Sequence, residues 1–216
     1  MSLPSEISGL VATRLCHDLA GPIGAVTSAA ELVRELGRDS TEEDVAMVSR
    51  PAERAGNLLQ LYRIAFGLSG GGQDLNRASF GELLTSLEAP GRVGLMLVGG
   101  EAGTISRAHA QVAGLMGLAA KKMLGLRGQI RLTLPHLPGD LPAVSAKGER
   151  AEMTDEMRAL CAEPTTPFTD PSLVEFPLLA VSVSRLPASL EIAADQGQIT
   201  LAARAIEAQT ALSPAR

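Results

Sequence analysis

The chain has 216 residues, 45% of them hydrophobic, with a formal net charge of -5 and no basic block, which speaks against nucleic acid as a ligand. Aromatic residues make up only 2%, with one Tyr and no Trp, so the core has to be Ala, Leu, Val and Ile, a composition that suits closely packed helices. No apolar run reaches the ~18 residues of a membrane span, no signal peptide is visible, and Cys16 and Cys161 form neither a disulfide framework nor a metal-ligand pattern, so the expectation is a cytoplasmic protein without membrane contact.

Residues 3–36 read as a helix. With position a of a heptad at Ala12, the a and d positions are Ala12, Leu15, Leu19, Pro22, Val26, Ala29, Val33 and Leu36, all apolar. Gly37 is a natural stop. A second helix starts at Ser40-Thr41-Glu42-Glu43-Asp44, where Ser40 with Glu43 or Thr41 with Asp44 fits a capping box, and it runs to about residue 68. Its seam is Val45, Val48, Ala52, Ala55, Leu59, Tyr62 and Phe66, interrupted by Pro51, where a bend or local loosening is expected. Two amphipathic helices joined by a short turn form an antiparallel hairpin. One hairpin buries neither seam well, so a homodimer making a four-helix bundle is expected.

Gly70-Gly71-Gly72 marks the expected boundary: a helical hairpin over 1–69, a linker at 70–72 and an α/β sandwich over 73–216, an α+β chain overall. In the second part the pattern gives a short helix at 79–87 with Ser79 and Glu82 as its cap, a strand at 92–98 and a helix at 106–124. Strands at 129–134 and 141–146 and a helix at 149–162 follow. The apolar stretch 172–185 fits helix or strand and is taken as helix. Strands at 190–194 and 198–203 flank a turn at Asp195-Gln196-Gly197, and the tail from 205 is expected to fray.

The chemistry concentrates on His17. In the heptad register it takes position f, the outermost, and should face solvent. A lone helix histidine is usually a plain surface or packing residue. Three neighbours argue for more. Asp18 can hold one ring nitrogen and leave the other as a nucleophile. Pro22, inside the helix, leaves the Asp18 carbonyl without its usual donor. The residues around and after His17 are small: Ala20, Gly21, Gly24, Ala25 and Ser28, a face where a partner helix could dock, although tight packing within the chain would also explain it. Arg14, one turn earlier, is expected to belong to the same partner-docking set and could help neutralise a phosphate. His109 and His136 lack partners at metal-ligand spacing, and Lys121-Lys122 reads as a solvated helix face.

His17-Asp18-Leu19-Ala20-Gly21-Pro22 resembles the phosphoacceptor box of sensor histidine kinases, H-[E/D]-x-x-[S/T]-P. The wider stretch Arg14-Leu15-Cys16-His17-Asp18-Leu19, with Pro22-Ile23-Gly24-Ala25, resembles the histidine phosphotransferases of alphaproteobacterial phosphorelays, the ChpT type. The resemblance implies that His17 is the phosphorylated histidine and Asp18 its acidic neighbour. It also implies that the second part is a degenerate version of the kinase ATPase fold. Gly21 departs from the kinase Ser/Thr, so a kinase-style phosphatase role is not implied. The helix at 106–124 carries no Asn for Mg²⁺, and Asp195-Gln196-Gly197-Gln198 lacks the second Gly of an adenine box. The expected function is therefore relay of a phosphoryl group between aspartates of receiver domains, those of response regulators and of a hybrid histidine kinase. No cofactor of its own is expected, the Mg²⁺ coming with the receiver. An autophosphorylating kinase with divergent boxes and a non-catalytic dimeric adaptor that docks receivers remain as alternatives.

Overall fold

The computed structural model describes residues 6–67, 73–99, 102–137 and 139–206. The expected glycine linker at 70–72, the first residues of the first helix, the end of the second helix at 68 and the tail beyond 206 lie outside them.

Helix α1 (Ile7–Leu36) and helix α2 (Glu42–Ala65) form the hairpin, joined through a 3-10 turn at Gly37–Asp39. Gly37 takes φ 59°, the left-handed region that ends helices cheaply only at glycine. Of the two caps that the sequence allowed for α2, Thr41 with Asp44 forms: each side chain bonds the other residue's backbone N–H, at 2.8 and 3.2 Å. Both helices run unbroken through Pro22 and Pro51. The hairpin leaves Ile23, Leu32, Leu36, Val45, Met47 and Leu59 exposed in the single chain.

The second part is a five-stranded mixed sheet covered by helices. A two-stranded ribbon, β1 (Leu75–Asn76) with β3 (Thr104–Ile105), lies beside it. The sheet runs β2 (Val93–Val98), β4 (Gly128–Thr133), β5 (Ala143–Lys147), β7 (Gln198–Ala205), β6 (Ala188–Asp195); β2 and β4 are parallel and every other pair is antiparallel. Helix α3 (Arg77–Leu84) precedes β2, α4 (Arg107–Leu124) connects β3 to β4, and α5 (Asp155–Ala162) and α6 (Glu175–Ser184) fill the stretch between β5 and β6.

Helix α4 is the centre of the core. Thirteen of its residues are buried, between the sheet on one side and α2 and α6 on the other. Two glycines let neighbours approach it. A Cβ at Gly114 would sit 3.3 Å from Leu61 of α2, and one at Gly117 would sit 2.5 Å from Leu87. Leu58, Leu61, Ile64 and Ala65 of α2 therefore join the same hydrophobic core as the sheet, so the hairpin is packed onto the second part rather than merely tethered to it. At about 25 cal/mol per Å² of buried apolar surface, such side chains stabilise the join by several kcal/mol.

Among the differences from the sequence reading, three concern helices of the second part. Helix α3 starts at Arg77, before the Ser79 expected as its cap, because the side chain of Asn76, delivered by β1, accepts from the Ser79 N–H at 3.0 Å. Helix α5 starts at Asp155 rather than 149, where Thr154 caps it and Asp155 and Glu156 occupy its first turn. The stretch 172–185 is helical as expected, but split into a 3-10 turn at Pro171–Leu173 and α6.

Candidate functional site

His17 sits on the outward side of α1 with its side chain 82% exposed. Its Nδ1 lies 3.0 Å from Oδ1 of Asp18. The other ring nitrogen, Nε2, has no hydrogen-bond partner among the described residues. Asp18 is the next residue along the helix and so points about 100° around it, towards the hairpin interior, where it is 19% exposed. There its Oδ2 accepts a hydrogen bond from the hydroxyl of Tyr62, brought in by α2. Burial, followed by this hydrogen bond to Asp18, raises the Tyr62 pKa, so the phenol keeps its proton and acts as donor.

Arg14, one turn before Asp18, completes the cluster. Its terminal nitrogen is 3.3 Å from Asp18 Oδ2, and its Nε donates to Oε1 of Glu175 at 3.1 Å. Burial works to lower the Arg14 pKa, but Glu175, Tyr62 and Asp18 together carry it above the ordinary value, and the guanidinium stays charged. Glu175 is the first residue of α6 and is fully buried. Burial drives its pKa up to about 7, against the pull of Arg14. Its second carboxyl oxygen, Oε2, has no hydrogen-bond partner among the described residues.

The chain His17–Asp18–Tyr62/Arg14–Glu175 thus runs from solvent, through the hairpin, into the second part of the molecule. A carboxylate that already accepts from a tyrosine and pairs with an arginine has only acceptor capacity to offer the ring. The proton between His17 and Asp18 is therefore on Nδ1, which leaves the Nε2 lone pair facing water. That is the arrangement of a nucleophilic imidazole.

Beside His17 and Asp18 opens a cleft of about 510 Å³ between the hairpin and the second part. Arg14, Arg54, Lys121 and Lys122 line it, so it gathers positive charge. Lys121 and Lys122, expected on a solvated helix face, are a correction: both are half-buried in this cleft, because α4 packs under α2 and presents its C-terminal turn to the hairpin. Ala20, Gly21, Gly24, Ala25 and Ser28 are all exposed. A Cβ built on Gly21 or Gly24 meets nothing within 4 Å, so tight packing inside the chain does not explain those glycines. Gly21 and Pro22 also border the cleft. His109 and His136 lie elsewhere, His109 bonded to Ser106 Oγ and His136 3.1 Å from Asp140.

Sequence reasoning named His17, Asp18 and Arg14 but missed Glu175 and the role of Tyr62. Each had a signal. Tyr62 is the single Tyr of the chain, set in an apolar seam. Glu175 is a lone carboxylate in an apolar stretch, where an acid needs a buried partner.

No protein-family model matches the chain. A curated protein is 40% identical over 75 residues: the protein phosphotransferase ChpT of Brucella abortus (strain 2308). The chain resembles the ChpT-type phosphotransferases. The match spans 32% of this chain and 35% of the Brucella ChpT, so it covers about a third of that protein's length. A solved structure described as a bacterial phosphotransferase aligns over 94% of this chain and 98% of its own, with a TM-score of 0.71 and 22% identity, which establishes the fold shared with it. A histidine kinase domain from a blue-light activated kinase of Erythrobacter litoralis aligns over 84% of this chain and 94% of its own at 11% identity, but its TM-score of 0.45 lends it no weight.

Among the described residues no helix is long and apolar enough to cross a membrane, and no group of three His, Cys, Asp or Glu side chains is placed to hold a metal ion.

Proposed function

We propose that this chain is a histidine phosphotransferase that passes a phosphoryl group between aspartates of receiver domains through His17. The observation that carries the reading is the exposed ring of His17 with Nδ1 held by Asp18 at 3.0 Å and Nε2 free. The likeness to ChpT supports it.

In the proposed transfer, the Nε2 lone pair attacks the phosphorus of an aspartyl phosphate in line with the departing carboxylate oxygen. The N–P bond forms, the P–O bond breaks, and the electron pair of that bond stays on the receiver's aspartate as a carboxylate. The ring becomes a phospho-imidazolium whose positive charge rests beside Asp18. The second transfer reverses these steps onto another receiver. The transition state is loose, so positioning and charge stabilisation supply most of the rate. Asp18, fixed by Tyr62 and Arg14, contributes both: it holds the tautomer and stabilises the cation.

The exposed small residues Ala20, Gly21, Gly24, Ala25 and Ser28 are the proposed receiver-docking face, because a helix can approach the α1 backbone closely there. Arg14, bound to Asp18 and Glu175, then acts on the site by holding Asp18 rather than as a free surface cation. The Mg²⁺ belongs to the receiver's acidic site, and no nucleotide is used. The exposed apolar residues of the hairpin pair with those of a second copy, which makes a homodimer.

Incubation with a phosphorylated receiver tests the reading. Label moving to the wild-type chain, and none to His17→Gln, is expected; label on His17 from ATP and Mg²⁺ alone would make it a kinase instead.

A further inference from the structure

Of the four cations in the cleft beside His17, three have partners. Arg14 is held by Glu175 and Asp18. Arg54 donates to the Glu88 carbonyl at 2.6 Å. Lys122 donates to Ser172 Oγ and lies 3.6 Å from Asp170. Lys121 makes no hydrogen bond or ion pair with any described residue. It nevertheless comes from the buried central helix α4, is half-buried, and lines a cleft it shares with three other cations and the Asp18 carboxylate. Burial, with Arg54 second, lowers its pKa, while Asp18 pulls the other way. A partly desolvated cation in a cleft where cations outnumber carboxylates destabilises the fold unless a further anion completes it. Asp18, the carboxylate that lines the same cleft, is already bound to Tyr62 and Arg14, and no described carboxylate lies within ion-pair distance of Lys121. A Leu or Met would fill the same space at no electrostatic cost.

We infer that Lys121 is a catalytic residue of the second part of the molecule: it binds the phosphoryl group on His17 and stabilises its charge during transfer. This rests on the phosphotransferase reading above. A phosphoryl group on Nε2 brings close to two negative charges to the mouth of the cleft. Lys121 is the one cleft cation whose donors are uncommitted among the described residues. A compact ammonium with three donors on a flexible stem can follow the phosphorus as it moves between nitrogen and oxygen. The arrangement also gives the sheet-bearing part a direct task in the chemistry. It carries α4, and α4 carries the charge, while the packing of Gly114 against Leu61 and Ala65 fixes where that charge sits relative to α1 and α2.

The test uses the full chain and a small donor, phosphoramidate, so that no receiver is present to confuse docking with chemistry. His17 Nε2 attacks phosphorus, the donor's P–N bond breaks and ammonia leaves. Phosphohistidine formation is followed by ³¹P NMR for the wild type, Lys121→Gln, Lys121→Arg and, should the Gln variant fail to fold by circular dichroism, Lys121→Met. The expected result is a rate lower by on the order of 10- to 100-fold in the neutral variants, the scale of losing one charge-stabilising donor, with most of it restored in Lys121→Arg. The phosphoryl group on His17 should also titrate at higher pH in the neutral variants, since a nearby cation favours its dianion. Equal rates for wild type and Lys121→Gln overturn this inference alone, as does a loss seen only with a receiver as donor. A wild-type chain that takes no label while a phosphorylated receiver also fails to label it overturns the phosphotransferase reading and this inference together.

Discussion

Arg14 of α1 and Glu175 of α6 lie 161 residues apart in the chain and meet at 3.1 Å, with Glu175 fully buried. The pair joins the helix that bears His17 to the helical layer of the sheet. It also reaches Asp18, since the same guanidinium is 3.3 Å from that carboxylate. The orientation of Asp18 is thereby tied to the docking of the two parts. Replacing Arg14 by Met should destabilise the fold by about 3–5 kcal/mol, the range for breaking one side of a buried pair. It should lower phosphotransfer as well. A thermal melt and a transfer assay read the two effects.

The same pair makes a pH prediction. Burial raises the Glu175 pKa from 4.5 to about 7 in the folded chain. The folded state therefore binds this proton more tightly than the unfolded state does. Between about pH 4.5 and 7 the unfolded chain holds fewer protons on Glu175 than the folded chain, so stability falls as pH rises through that window. Glu175→Gln removes the group. The melting temperature of the wild type, relative to that of Glu175→Gln, should decline from pH 5 to pH 7; parallel curves would contradict it.

Tyr62 supplies the second hold on Asp18. Tyr62→Phe keeps the stacked contact with Phe66, whose ring centroid lies 5.0 Å away, and removes only the hydroxyl. The expected stability loss is about 1 kcal/mol, that of a single hydrogen bond. The rate of His17 phosphorylation should fall several-fold, because the imidazole loses a fixed partner. Stopped-flow transfer kinetics beside a denaturant melt separate the two.

Much of this was legible in the sequence. The heptad pattern placed His17 outward because helical periodicity is local, and Thr41 with Asp44 was one of two visible capping boxes. Apart from the short strand at Thr104–Ile105, the order of helices and strands from residue 92 onward followed from alternation and turn residues. What the sequence hid was long-range. The ribbon of Leu75–Asn76 with Thr104–Ile105 is too short to leave a pattern. Lys121 and Lys122 read as solvent-facing because nothing local shows that α2 crosses that end of α4. Glu175 read as part of an apolar run, since its partner lies at the other end of the chain. The burial of a charge is a property of what packs over it.

The glycines of α1 separate stability from docking. A Cβ at Gly21 or Gly24 meets nothing within 4 Å. Each Gly→Ala change should therefore stabilise the helix, by up to about 1 kcal/mol. If the face docks a receiver, the same methyl groups obstruct it. Gly21→Ala with Gly24→Ala should raise the melting temperature and weaken receiver binding, as read by calorimetric titration. Unchanged binding would remove this face from the proposed interface.

Exposed Ile23, Leu32, Leu36, Val45 and Leu59 give the hairpin an apolar surface with no cover in the single chain. Light scattering should return the mass of two chains, and Leu32→Glu with Leu59→Glu should return that of one.

The most direct measurement is transfer itself. A purified receiver, phosphorylated on its aspartate in the presence of Mg²⁺, is mixed with the full chain, and acid-labile, base-stable label is followed with time. Rapid appearance on the wild type, absence from His17→Gln, and onward passage to a second receiver are the predicted results. Label that appears equally on His17→Gln, or a wild type that binds the phosphorylated receiver without taking its label, would contradict the account.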